Sequence, residues 1–181
     1  MNLANILTLS RVVLAVFFAY FLFSSAPSAR WVALFLFILA ALTDWWDGLA
    51  ARGMGETSHF GKLMDPIADK TLTLAAFISF SLLGLVPWWA VAVIVARDVY
   101  VTAARLRMSP EDPAISAKPS GKKKTALQMF YIILVLFYLI AIRLPSWRPS
   151  WNAPALVAIH IGMGAIVLMT LWSGAKVLFK K

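Results

Sequence analysis

The chain has 181 residues, 61% of them hydrophobic and 14% charged, with a net charge of +9 and no cysteine. A soluble domain carries about a quarter charged residues, so one small water-soluble core cannot hide this much apolar side chain, and the missing thiols exclude a disulfide framework and a thiolate metal centre. Nor does the positive charge read as a nucleic-acid face, because the basic residues sit in short loops and at helix ends between long apolar runs, as at an anionic membrane surface.

Apolar runs of about 20 residues are the length a bilayer requires, and they predict an all-α, polytopic membrane protein with six spanning helices. In chain order these fall at 6–25, 31–50, 66–86, 88–107, 124–143 and 153–175, as a single membrane domain over 1–181. The first has the outline of a secretory signal, Arg11 followed by an apolar run and small residues over 24–29. With no soluble domain for it to deliver, it is expected to be retained. Residues 71–96 carry no charge and are too long for one helix, so Gly84 and Pro87 are read as the dividing turn. Trp31, Trp88, Trp89, Trp147 and Trp151 fall near predicted helix ends, where interfacial anchors belong.

Lys and Arg set the orientation. With the N-terminus inside, the outward loops hold only Arg30, Arg143 and Arg148, three of the 17 basic residues. Both termini are therefore expected in the cytoplasm.

Four of the eight acidic residues cluster in the chain: Asp44, Asp47, Asp65 and Asp69. Asp44 and Asp47 are three apart at the end of the second predicted helix, and Asp65 and Asp69 four apart at the start of the third, so each pair shares a face. Four carboxylates at a membrane interface need protonation, arginines or a cation to compensate them. Oxygen-only ligands select a hard ion, Mg²⁺, Mn²⁺ or Ca²⁺. Gly48, Ala51 and Gly61 leave room for close approach beside them. Salt bridges with Arg52, Lys62 and Lys70 are the plain alternative. A cation-transport site is another, although its acids would be expected nearer mid-membrane.

Written out, these residues are Asp44-x2-Asp47-Gly48-x2-Ala51-Arg52-x8-Gly61-x3-Asp65-x3-Asp69. That resembles the motif of the CDP-alcohol phosphatidyltransferase family at all eight positions. Asn5-Ile6-Leu7-Thr8-Leu9-Ser10-Arg11, Asp65-Pro66-Ile67-Ala68-Asp69-Lys70, Arg97, Arg105 and Gly121-x2-Lys124-Thr125-x2-Gln128 are similar to one bacterial branch of it, the phosphatidylglycerophosphate synthases. Asp98 departs from the pattern, standing where the family often has Glu, and the linker 108–120 has no counterpart in it.

The resemblance implies a homodimeric enzyme of the cytoplasmic membrane that uses Mg²⁺ or Mn²⁺, with two ions expected. It would move a phosphatidyl group from CDP-diacylglycerol to sn-glycerol 3-phosphate and release CMP. By matched position, Asp44, Asp47 and Asp65 would bind metal, and Asp69 would touch metal and act as general base. Thr8, Gly48, Ala51, Arg52, Ser58 and Gly61 would contact the donor. Arg97, Arg105 and Lys124, which are also readable as inside-positive anchors, would hold the acceptor phosphate. A cardiolipin synthase, whose acceptor is phosphatidylglycerol, has nearly the same motif, and a divalent-cation transporter is the alternative from another class. His59 is a weaker candidate base, and His160 is expected to be packed and bonded to nearby backbone.

Overall fold

The computed structural model describes the backbone of residues 3–50, 59–107 and 119–178, and side chains over 9–43, 70–103 and 124–175. Among these residues the chain is helical, without a strand. α1 is Leu3–Phe23, α2 Ala29–Ala50, α3 His59–Leu82, α4 Trp88–Arg107, α5 Pro119–Ala141 and α6 Asn152–Leu178, with a single 3₁₀ turn at Pro149–Trp151. The chain falls into two compact units, Met1–Ser79 and Phe80–Lys181.

In the first unit α1 and α2 form a helical hairpin. Ser28 supplies the carbonyl that receives the Val32 N–H at 3.1 Å and so opens α2. The buried stripe of α1 is Arg11, Ala15, Phe18 and Leu22, and that of α2 is Ala29, Ala33, Phe37 and Ala40, each at the three- and four-residue spacing of one helix face. Alanine brings backbones close, and the Phe18 and Phe37 rings meet at 5.8 Å with a 50° tilt. Such a ring pair contributes about 0.5–1.5 kcal/mol beyond its buried area. The opposite face of α1 is also apolar: Leu9, Val13, Val16, Phe17 and Tyr20 are exposed. A helix apolar on both faces suits a membrane or the core of a larger assembly.

α3 starts at His59, seven residues before the predicted 66, and passes through Pro66. Proline has no N–H for the Lys62 carbonyl and normally marks a first turn. Membrane helices tolerate it inside, where neighbouring groups re-satisfy the freed carbonyl. The far end of α3 is a Schellman cap. Gly84, at φ +72°, donates to the Ser81 carbonyl at 3.0 Å, and Leu85 to the Phe80 carbonyl at 2.9 Å. The turn predicted from Gly84 and Pro87 is therefore present. Nothing lies within 4 Å of a Cβ built on Gly84, so the demand for glycine there is one of backbone conformation alone.

In the second unit α6 packs against both α4 and α5. The buried face of α5 runs Lys124, Gln128, Tyr131, Ile132, Val135, Leu136 and Leu139, and that of α6 runs Ile159, Met163, Ile166, Val167, Thr170 and Ser173. The Tyr131 hydroxyl donates to the Ile159 carbonyl at 3.1 Å, tying the two helices together. α5 begins at Pro119, five residues earlier than the predicted 124, with proline in its favoured first position. Trp88 and Trp89 are exposed at the start of α4, and Trp151 just before α6. Trp147 donates its Nε1–H to Asn152 Oδ1 at 2.8 Å. Among the described residues, 124–141 and 149–175 are long and apolar enough to cross a bilayer; 9–23, 29–43 and 70–82 are apolar but shorter.

Candidate active site

The carboxylates predicted to bind metal all fall in the first unit. α2 stays helical through Ala50 and α3 is helical from His59. Asp44 and Asp47 therefore occupy the last two turns of one helix, and Asp65 and Asp69 the first three turns of the next. The backbone is thus continuous helix between the members of each pair, which keeps the three- and four-residue register read in the sequence. Gly48 lies on α2 and Gly61 on α3, while Thr8 lies on α1. Ala51, Arg52 and Ser58 lie outside the described residues, as do the side chains of the four aspartates and of Thr8. As a donor set, four carboxylates in a cysteine-free chain suit a hard divalent ion.

The second unit holds the residues predicted for the acceptor. Arg97 and Lys124, 27 positions apart in sequence, meet on one carboxylate that the motif did not include. Arg97 Nη1 lies 2.9 Å and Lys124 Nζ 2.5 Å from Asp98 Oδ1. Arg97 Nη2 donates to Ser173 Oγ on α6 at 2.7 Å. Gly174 makes this approach possible: a Cβ there would stand 3.2 Å from Arg97 Cγ. Lys124 is 3% exposed and Asp98 7%. Lys124 is not the surface cation that opens α5; it lies inside the unit, one turn from Gln128. Arg105 continues α4 two turns beyond Arg97, and its side chain lies outside the described residues.

Ser173 went unread in the sequence, and Asp98 was noted only as a departure from the family pattern, yet a signal for its pairing was present. It is the only Asp or Glu within α4, α5 and α6. A lysine buried among those helices has no other carboxylate on them to meet, and buried charges are paired. Removing one partner of such a pair costs about 3–5 kcal/mol.

The sequence model of the CDP-alcohol phosphatidyltransferases matches residues 1–173. The chain belongs to that family. A probable phosphatidylglycerophosphate synthase of Mycobacterium tuberculosis is 39% identical over 176 residues, covering 96% of this chain and 78% of that one. A CDP-diacylglycerol–glycerol-3-phosphate 3-phosphatidyltransferase of Bacillus subtilis is 34% identical, with 81% and 82% covered. Its Escherichia coli K12 namesake is 32% identical, with 95% and 90% covered. The family match spans both compact units, so the aspartate-bearing helices and the ion cluster of α4–α6 belong to one family sequence.

Proposed function

We propose that this chain transfers the phosphatidyl group of CDP-diacylglycerol to sn-glycerol 3-phosphate, forming phosphatidylglycerophosphate and CMP. The observation that carries the reading is the eight-position aspartate motif, whose two carboxylate pairs sit in helical register on α2 and α3. The names of the relatives supply the two substrates.

Asp44, Asp47 and Asp65, with Asp69, would hold Mg²⁺ or Mn²⁺, as two ions. Bound metal supplies positive charge to the pyrophosphate oxygens as negative charge builds on them. Thr8, Gly48, Ala51, Arg52, Ser58 and Gly61 seat the donor, the small residues admitting it and Arg52 meeting its negative charge. Arg97, Arg105 and Lys124 hold the acceptor's phosphate. Asp69 takes the proton from the acceptor hydroxyl. That oxygen bonds to the phosphorus bearing the diacylglycerol, the bond from this phosphorus to the bridging oxygen breaks, and CMP leaves with that oxygen.

The enzyme acts as a homodimer in the cytoplasmic membrane, with six spans and with its site and termini inside. Purified protein offered CDP-diacylglycerol with glycerol 3-phosphate, inositol phosphate, serine and phosphatidylglycerol together should release CMP and yield mainly phosphatidylglycerophosphate. Cardiolipin as the main product would make it a cardiolipin synthase, and no CMP at all would favour the transporter.

The topology has its own test, because the chain has no cysteine to interfere. A cysteine placed at Ser146, in the exposed loop after α5, should react with an impermeant maleimide from outside intact cells. One placed at Ser116, outside the described residues, should react only after the membrane is opened. The reverse pattern would put the site on the wrong side for a cytosolic nucleotide.

A further inference from the structure

Among the described residues, the cluster on α4–α6 brings two cations to one carboxylate and leaves buried polar atoms beside them without a partner. One carboxylate, Asp98, meets two cations, and both bonds fall on the same oxygen, Oδ1. Arg97 is anchored a second time at Ser173. The ammonium of Lys124 has three donors, one of which goes to Asp98. Arg97 Nε, Gln128 Nε2 and Thr170 Oγ1 are buried and meet no partner among the described residues. Gln128 is 3% exposed and Thr170 0%. Gln128 follows Lys124 by one turn on the same face of α5, and Thr170 precedes Ser173 by three residues on the same face of α6.

A plain structural lock between three helices would be neutral and saturated, because buried polar groups left unmatched destabilise it. The triad of Arg97, Asp98 and Lys124 instead carries one net positive charge, with spare donors beside it. That surplus suits an anion with several acceptor oxygens, such as a phosphomonoester. The cations share one oxygen, so Nζ and Nη1 are close enough together to reach different oxygens of a single phosphate.

We propose that Asp98 is a positioning residue: holding Arg97 and Lys124 on one carboxylate oxygen, it sets their spacing for the acceptor's phosphate and thereby sets acceptor affinity without touching the acceptor. The inference rests on the reading above that these two cations receive that phosphate. Asp98 prevents two like charges, Lys124 buried and Arg97 partly so, from parting in the empty enzyme, and its geometry determines where the phosphate finds them.

The test uses the full-length enzyme in detergent with CDP-diacylglycerol, measuring KM for both substrates and kcat. Asp98→Asn should raise the KM for glycerol 3-phosphate at least ~10-fold, with donor KM within ~2-fold and kcat within ~3-fold of wild type. Asp98→Glu, which keeps the charge, should recover most of the loss. A structural role alone would lower the active fraction and leave the acceptor KM of the surviving enzyme unchanged, and that result overturns the proposal, as does an equal rise in both KM values. Should Asp98→Asn fail to fold, Ser173→Ala frees only one end of Arg97. It should raise the acceptor KM ~3-fold or more, about 0.65 kcal/mol by RT ln 3, and an unchanged value is again fatal. Failure of the underlying reading looks different: Lys124→Ala would then leave the acceptor KM unchanged, whereas it should raise that KM ~10-fold if the cations receive the phosphate and only the role of Asp98 fails.

Discussion

Single Asn substitutions at Asp44, Asp47 and Asp65 are each expected to lower the transfer rate at least ~100-fold, the upper end of what losing even an outer-sphere partner of a metal ligand costs. Asparagine keeps the shape of aspartate and removes its charge, so the loss reports charge and ligation rather than packing. Each of these residues lies on a stretch of continuous helix, where a side chain of equal size leaves the backbone undisturbed. A chelator should abolish activity in the unmodified enzyme, and Mg²⁺ or Mn²⁺ should restore it. Oxygen-only donors give no reason for Zn²⁺ to do better. The variants should also need more metal for half-maximal rate, a shift that loss of a salt bridge to Arg52, Lys62 or Lys70 would not produce. Full activity in excess chelator would remove the metal assignment and leave the four aspartates as ion-pair partners.

The elements of this fold are legible where the signal is local. Residues 71–96 are uncharged, and the one place where they must break is marked by Gly84 and Pro87; the positive φ of Gly84 explains why glycine stands there. The aspartate register is local too, because three- and four-residue spacings need only a continuous helix. The start of the third helix was expected at 66, whereas α3 is helical from His59 and runs through Pro66.

Lys124 was read as a holder of the acceptor phosphate or an inside-positive anchor, with no carboxylate partner named for it. Its partner is 26 residues away on another helix, and no periodicity encodes that meeting. His160 was expected to be packed with a backbone bond. The bond is present, with Nδ1 2.7 Å from the Leu156 carbonyl oxygen, but the residue is exposed. A polar side chain on an outward helix face can satisfy itself on its own preceding turn, so burial does not follow from the bond.

Asp69→Asn is expected to lower kcat by ~10²–10⁴-fold, the usual worth of a positioned general base, while CDP-diacylglycerol still binds. Asparagine cannot accept a proton at neutral pH, so the attacking hydroxyl must lose its proton to water while it bonds to phosphorus. The proposed site asks two things of Asp69, contact with metal and acceptance of the proton, and the kinetics can tell them apart. Loss of the metal role alone is reversed by raising the metal concentration, whereas loss of the base is not. Asp69→Ala, which leaves space where the carboxylate stood, should regain part of its rate with added formate, and the gain should follow the concentration of the formate anion. Asp69→Glu keeps the base but moves it by one methylene; it should retain more activity than Asp69→Asn, since positioned groups lose ~100-fold for misplacements near 1 Å. A wild-type kcat in Asp69→Asn would transfer the role to another group. His59, the first residue of α3, is then the one to replace, and its His59→Gln variant should carry the loss that Asp69 did not.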